Sequence, residues 1–325
     1  MAPLCFVTGA SGFLGRALVP RLARSFRLRL LVRTGQELPQ FADIAHERVE
    51  ARLEDHKALA SGLAGCAHVV HMAALVSFRR EDRAAMFSCN SDGTANLARL
   101  AQQAGVRRFL HVSTISAVGY SDGPQLLDET ASYNFDSLPG GSGYSDSKHA
   151  AEQHLLEHAA AGLDAVIVNP PSMYGGGDRR KTDDSLLTAV MLGQVRLAPP
   201  GGLNVANVED VCDGMLGALA KGRTGERYIL GGENLTGREL LQRIATITGG
   251  TAPTRVAPRL ALGFLARALR CKERVFGSKH PLTSEILQLA TRHLWYSSDK
   301  AERDLDWRAG PVDPGIAAAF ADLQP

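Results

Sequence analysis

The chain reads as an α/β protein, a doubly wound parallel sheet with helices on both faces, followed by a smaller C-terminal lobe. Three observations predict this. Over the first 170 residues, short apolar β-branched runs alternate with longer amphipathic segments. The runs are near-continuously apolar, as strands covered on both faces are. After Pro170-Pro171 the pattern gives way to shorter elements. The boundaries this suggests are 1–170 for a dinucleotide-binding domain and 171–325 for a substrate-binding lobe packed on it, with the chain crossing between them.

Strands are predicted over 4–8, 28–33, 48–51, 68–71, 107–113 and 165–169, with helices over 13–24, 57–63, 80–104 and 144–161. The first strand enters Thr8-Gly9-Ala10-Ser11-Gly12-Phe13-Leu14-Gly15. Gly9 permits a tight turn, Gly12 lets the main chain approach a pyrophosphate, and Gly15 lets the new helix lie close to the strand. The helix N-terminus then presents N–H groups and a positive dipole end to phosphates.

Ligands of open parallel sheets bind at the carboxyl ends of the strands. The second strand ends at Arg33 with no Asp or Glu beside it. An arginine there suits a ribose 2′-phosphate, whereas a carboxylate would grip the 2′-hydroxyl, so the expected cofactor is NADP rather than NAD. Arg24, Arg27 and Arg29 read as solvated charges. The fifth strand ends at Ser113-Thr114, where a hydroxyl could meet a substrate oxygen, although such a pair is commonly a turn or helix cap.

The next helix opens with Tyr144-Ser145-Asp146-Ser147-Lys148. Four-residue spacing places Tyr144 and Lys148 on one helical face. A phenol with an ordinary pKa of ~10 is a weak acid–base catalyst at neutral pH. A nearby ammonium would stabilise the phenolate and equip Tyr144 for proton transfer. Tyr296-Ser297-Ser298-Asp299-Lys300 repeats the spacing, but it follows no nucleotide-binding element and reads as structural.

In the second lobe, Gly175-Gly176-Gly177-Asp178-Arg179-Arg180-Lys181 is a polar loop expected near the ligand. Helices are expected over 183–192, 210–221 and 236–248, the last opening on the capping-box spacing Thr236-Gly237-Arg238-Glu239. Strands are expected over 204–208 and 227–230. The apolar segment 257–270 carries Arg259, Arg267 and Arg270 and reads as a packed surface helix, with a lid or a lipid contact as alternatives.

Composition narrows the class. A net charge of +2 gives no whole-chain signal for nucleic acid or an anionic membrane. Cys5, Cys66, Cys89, Cys212 and Cys271 form neither a CxxC pair nor a disulfide framework, and the histidines lack metal-ligand spacing. The N-terminus lacks the basic start of a signal peptide, and no apolar run reaches the ~18 residues of a membrane span. A cytoplasmic protein without an integral membrane segment is expected.

Together these residues resemble the extended short-chain dehydrogenase/reductase family over nearly the whole chain. The matching pieces are Thr8 to Gly15, His71-Met72-Ala73-Ala74, Asn90-Ser91-Asp92-Gly93-Thr94, 112–119, the Tyr144/Lys148 pair and 169–175. In the second lobe 207–211, 225–228 and 299–301 also fit. The resemblance implies a Rossmann-type fold. It implies Thr114 as the substrate-orienting hydroxyl, Tyr144 as acid/base, and Lys148 holding the nicotinamide ribose. It further implies that Gly9, Ser11, Gly12, Phe13, Leu14 and Gly15 hold the phosphates. Leu53, Ala73 and Ala74 would line the cofactor, Asn90 would support its site, and Pro170, Ser172 and Met173 would border the nicotinamide. Thr114 stands where serine is usual, Arg52-Leu53 where an Asp commonly precedes the apolar residue, and Asn169 where arginine is common. Arg33, Asn169-Pro170 and 225–234 are most similar to the dihydroflavonol-reductase-like and 3β-hydroxysteroid-dehydrogenase-like branch.

The function expected is NADP-dependent interconversion of a secondary alcohol and a carbonyl, acting on a small molecule. Alternatives are a nucleotide-sugar epimerase or dehydratase with retained NAD(P), for which Arg179, Arg180, Arg255 or Arg259 could meet a diphosphate, and a non-catalytic NADP sensor. Helices 80–104 and 144–161 could pack against a second copy as a homodimer.

Overall fold

The computed structural model describes residues 2–178, 186–278 and 282–324. In chain order the elements are β1 (Leu4–Thr8), α1 (Phe13–Leu22), β2 (Arg27–Val32), β3 (His46–Glu50), α2 (His56–Leu63), β4 (His68–His71), α3 (Arg83–Met86), α4 (Gly93–Gln103), β5 (Arg108–Val112) and α5 (Gly143–Ala160). They continue as β6 (Ala165–Asn169), β7 (Ser172–Tyr174), α6 (Leu186–Met191), β8 (Gly202–Asn207), α7 (Val208–Lys221), β9 (Arg227–Ile229), β10 (Glu233–Thr236) and α8 (Gly237–Thr248). The last are α9 (Arg259–Phe276), α10 (Ser284–Leu289), β11 (His293–Leu294), α11 (Asp299–Leu305) and α12 (Asp313–Ala321).

Seven of the described strands form one parallel sheet in the order β3-β2-β1-β4-β5-β6-β9. The chain reverses direction across the sheet between β1 and β4, which opens a crevice at their carboxyl ends. Alternate residues face opposite layers. Val7, Leu30, Val70 and Leu110 pack under α1 and α7, while Phe6, Leu31, Val69 and Phe109 pack under α2, α4 and α5.

Two expectations change here. The strand near 227–230 belongs to this first sheet, not to the second lobe: buried Tyr228 and Ile229 extend it beyond β6. The segment 80–104 is not one regular helix. It opens as a 3₁₀ turn at Arg80–Asp82 and passes through a π turn at Phe87–Asp92 between α3 and α4. That turn presents Asn90 to the site, a common use of π geometry.

The second sheet is smaller, with β10 antiparallel and β7 and β11 parallel to β8. Its core joins Leu187, Val190, Val205, Leu240, Ile244 and Ile316. α8 begins with the anticipated capping box, Thr236 and Glu239 satisfying each other's backbone N–H groups. Helix 257–270 begins at Arg259 and runs on to Phe276. Among the described residues, Ala266 is its one buried side chain, so the packed-surface expectation does not hold for most of its circumference.

Candidate active site

Backbone crowding defines the turn after β1. Gly9 has φ 74°, and a Cβ there would lie 2.6 Å from the Ala73 nitrogen. A Cβ on Gly15 would lie 2.4 Å from the Ala10 carbonyl oxygen, so α1 sits against the turn only because Gly15 has none. Gly12 is the exposed N-cap of α1, carries no capping side chain, and is followed by no acidic residue in the first turn. Phe13, Leu14 and Gly15 are buried behind it and Ser11 is half-buried. This cradle fits a dinucleotide's pyrophosphate, because an anion can complete the helix end. A Cβ on Gly175 would lie 2.3 Å from Val208 Cγ1 and 3.4 Å from Phe13, which brings the start of the glycine-rich loop down onto α1. Arg179, Arg180 and Lys181 lie outside the described residues.

Behind the cradle, a hydrogen-bond chain runs from β1 to the π turn. The Thr94 hydroxyl donates to the Asn90 carbonyl at 2.6 Å and lies 3.0 Å from His71 Nε2. Having spent its proton, Thr94 Oγ1 accepts from Nε2–H. His71 Nδ1 then accepts from the Thr8 hydroxyl at 2.7 Å, and Thr8 Oγ1 accepts from the Ala73 N–H at 3.1 Å. Burial, with the Lys148 charge, holds His71 neutral, its pKa lowered to about 3. Asn90 in turn clamps the loop after β4: its Oδ1 accepts from the Leu75 N–H at 2.7 Å and its Nδ2 donates to the Leu75 carbonyl and Ser147 Oγ. Ala74, Leu75 and Val76 are thereby held exposed along the crevice.

On the outer rim, Arg33 is exposed at the end of β2, and among the described residues nothing engages its guanidinium. Leu53 is buried over α4, where a Cβ on Gly93 would meet it at 2.9 Å, and its carbonyl accepts from Asn96 at 2.7 Å.

Thr114 and the Lys148 ammonium meet at the carboxyl end of β5, and Tyr144 lies one helical turn before Lys148 on α5. Thr114 caps the 3₁₀ turn Ile115–Ala117, its Oγ1 accepting from the Ser116 N–H at 3.3 Å. The cap reading was therefore correct, and the hydroxyl keeps its proton to donate. Tyr144 is half-buried in the first turn of α5, whose N-cap is Ser142. One turn on, the Lys148 ammonium donates to the Val112 carbonyl at 2.7 Å and lies 3.2 Å from His111 Nε2. Two of its three N–H groups are so directed, leaving one for a ligand. Burial lowers the Lys148 pKa to about 8, the nearby Glu152 carboxylate partly opposing it.

Asn169, which stands where arginine is common, donates to the Thr114 carbonyl at 2.9 Å and to Glu152 at 2.6 Å. Arg227 reaches the other Glu152 oxygen at 3.5 Å from β9. Pro170 is buried, and its carbonyl accepts from Ile115 N–H. Ser172 is exposed and Met173 half-buried on β7.

Sequence reasoning did not single out His71, His111, Glu152 or Arg227. Polar residues inside apolar runs were the available signal, but the His71–His111 register of β4 and β5 is a tertiary fact. It also missed Glu285 of α10, which accepts from the Ser142 hydroxyl at 2.6 Å. Glu285 lines a cleft with Phe78, Arg83, Gly140, Gly143 and Arg270 at the start of α5.

Tyr296 and Lys300, the second copy of the spacing, are spent elsewhere. The buried Tyr296 hydroxyl donates to the Ile115 carbonyl at 3.0 Å and also contacts that of Gly119. Lys300 bonds Glu226 and the Arg227 carbonyl. Arg259, a candidate diphosphate ligand, bonds the Asp122 and Thr291 carbonyls.

Comparison with known proteins agrees with this architecture. Residues 5–231 match the model of the NAD dependent epimerase/dehydratase family. The chain is 32% identical, over 99% of its length and 94% of the relative's, to a Synechocystis protein provisionally named a dihydroflavonol 4-reductase. It is 32% identical to the 4-hydroxy-2-methyl-3-oxo-4-farnesyl-3,4-dihydroquinoline-1-oxide ketoreductase of Stigmatella aurantiaca, over 94% of this chain and 92% of that one. A crystal structure of a nucleoside-diphosphate-sugar epimerase from Pseudomonas aeruginosa superposes with a TM-score of 0.78 at 28% identity, covering 99% of this chain and 97% of that one. The chain belongs to the NAD-dependent epimerase/dehydratase family and is an NAD(P)-dependent oxidoreductase of the extended short-chain dehydrogenase/reductase type.

Proposed function

We propose that this protein interconverts a secondary alcohol and a carbonyl with NADP(H), using Tyr144 as general acid and base and the part of 171–325 built on the second sheet, without α7 and β9, as the substrate-binding lobe. The observation that carries this reading is the convergence of the Thr114 hydroxyl and the Lys148 ammonium at the end of β5, one helical turn from Tyr144. The reductase names of two full-length relatives support it over epimerisation.

In this reading Gly9, Ser11, Gly12, Phe13, Leu14 and Gly15 hold the pyrophosphate. Arg33 takes the 2′-phosphate, a role that its exposed, unengaged guanidinium supports. Leu53, Ala73, Ala74 and Asn90 line or brace the adenosine side, and Pro170, Ser172 and Met173 border the nicotinamide. When bound, the nicotinamide supplies hydride to the carbonyl carbon or accepts it from the alcohol. Thr114 donates a hydrogen bond to the substrate oxygen, and Tyr144 delivers the proton that turns that oxygen into a hydroxyl. The Lys148 ammonium stabilises negative charge left on the Tyr144 oxygen and offers its remaining N–H to the ribose.

The test is binding first, then turnover. NADPH should bind more tightly than NADH, and Arg33→Ser should weaken NADPH by about tenfold or more, as loss of a charge-assisted bond does. Tyr144→Phe should lower the rate of NADPH oxidation with a panel of ketones by about a hundredfold or more while leaving NADPH affinity intact. Failure to bind NADPH would sink the reading. So would a cofactor that stays bound through purification with no net oxidation by any carbonyl, which is epimerase behaviour.

A further inference from the structure

We infer that α9 is a docking surface for an anionic lipid bilayer. The apolar arc of this helix faces solvent: Leu260 is 79% exposed, Phe264 73%, Val275 72%, Phe276 65% and Leu265 51%. At 3.6 residues per turn, Leu260, Phe264, Ala268, Cys271 and Val275 fall in one strip, widened by Ala261, Leu265 and Phe276. A helix covering a protein core turns such an arc inward; here the inward side is mostly Ala266, Leu262 and Leu269. The strip is far more apolar than scattered surface leucines would make it.

Charge identifies the occupant. The helix carries Arg259, Arg267, Arg270, Lys272 and Arg274 against one carboxylate, Glu273. That carboxylate is turned back onto α10, accepting from the Ser284 N–H and hydroxyl. Arg267 and Arg274 border the apolar strip and Lys272 lies within it, the arrangement of a helix lying in a lipid interface. A second copy fits poorly, because a two-fold contact would set the same cations against each other. No helix among the described residues is long and apolar enough to cross a membrane, so the contact is with the surface. Arg270 and Glu273, on the inner flank, line the cleft at the start of α5, which places that cleft next to the lipid-facing helix. The docking does not depend on the proposed reaction, and its test reads no activity.

The full-length protein should co-sediment with vesicles of phosphatidylcholine and phosphatidylglycerol at low salt, and much less with phosphatidylcholine alone. Phe264→Asp with Phe276→Asp should abolish co-sedimentation. Arg267→Gln with Arg274→Gln should weaken it by on the order of 30-fold, the loss expected for two basic contacts at an anionic surface. These side chains are exposed, so thermal unfolding of the variants should match wild type. Phe264→Trp should report insertion directly, by a blue shift on the mixed vesicles. Wild type remaining in the supernatant, equal binding to both vesicles, or double variants that bind like wild type would each overturn the inference. A wild-type dimer split by Phe264→Asp would overturn it too, assigning the face to a second copy.

Discussion

Burial dominates the titratable groups around the cleft, and two of them are pushed into the working pH range. Lys148 has a pKa lowered to about 8, chiefly by desolvation, with Glu152 pulling the other way. If its ammonium supports Tyr144, kcat/KM for carbonyl reduction should fall as pH rises through about 8, since that parameter reports the free enzyme. Lys148→Arg stays charged throughout and should remove that limb at some cost in rate; initial rates of NADPH oxidation against pH decide this. Glu285 is shifted up to about 7 by burial, the Ser142 hydrogen bond partly offsetting it. A carboxyl with a raised folded pKa is stabilising while protonated, so stability should decline as pH rises from about 4.5 to about 7. Glu285→Gln keeps the acceptor for Ser142 without the charge. It should match wild type near pH 5 and exceed it above pH 7 by at most about 3 kcal/mol. Urea unfolding at the two pH values measures this, and an equal gap at both would rule out titration of Glu285 as the cause.

At the scale of elements, the two helix starts do different jobs, and substitutions should separate them. Thr236 closes the capping box of α8 in the second lobe. Thr236→Ala should cost about 1 kcal/mol of stability and leave NADPH affinity unchanged. Gly15→Ala should instead weaken NADPH binding as well as stability. Its Cβ would stand 2.4 Å from the Ala10 carbonyl and push α1 off the turn that shapes the cradle. Isothermal titration and thermal unfolding of the pair test this contrast, which fails if Thr236→Ala alters affinity. Both features were legible in the sequence because each is local. The glycine spacing and the Thr236-Gly237-Arg238-Glu239 spacing act over a few residues, and the parallel strands announce themselves as apolar runs. The π turn at Phe87–Asp92 was not legible, because one extra residue per turn barely disturbs a helical apolar pattern. Nor was the partner of β9, a three-residue strand whose place is decided by the free edge of β6. The orientation of α9 was equally hidden: periodicity shows that a helix is two-faced, not which face meets the protein. The buried polar set of His71, His111 and Glu152 escaped for the same reason, since its partners Thr8, Lys148 and Arg227 come from distant segments.

Across the whole molecule, the C-terminal region reaches back to hold the loop that carries Thr114. Tyr296 follows β11 and is buried with Ile115, Val118, Tyr120, Phe135 and Leu294 in a cluster between the two sheets. Its hydroxyl donates to the carbonyl of Ile115, the first residue of the 3₁₀ turn that Thr114 caps, and contacts that of Gly119, just past the turn. Lys300 fastens the same stretch to β9 through Glu226 and the Arg227 carbonyl. The second tyrosine–lysine spacing is thus a clasp between the lobes, and it acts on the site from outside. Tyr296→Phe removes the donor; the Ile115 carbonyl keeps the Val118 N–H but the Gly119 carbonyl loses this contact, which should cost about 1 kcal/mol. Because Ile115 adjoins Thr114, the released loop should also lower kcat for carbonyl reduction. Tyr144→Phe should instead lower kcat further, by the roughly hundredfold or more expected when a proton donor is lost. Measuring both variants by urea unfolding and by NADPH oxidation assigns each tyrosine. The clasp is refuted if Tyr296→Phe unfolds like wild type, because a hydroxyl that stabilises nothing holds nothing in place.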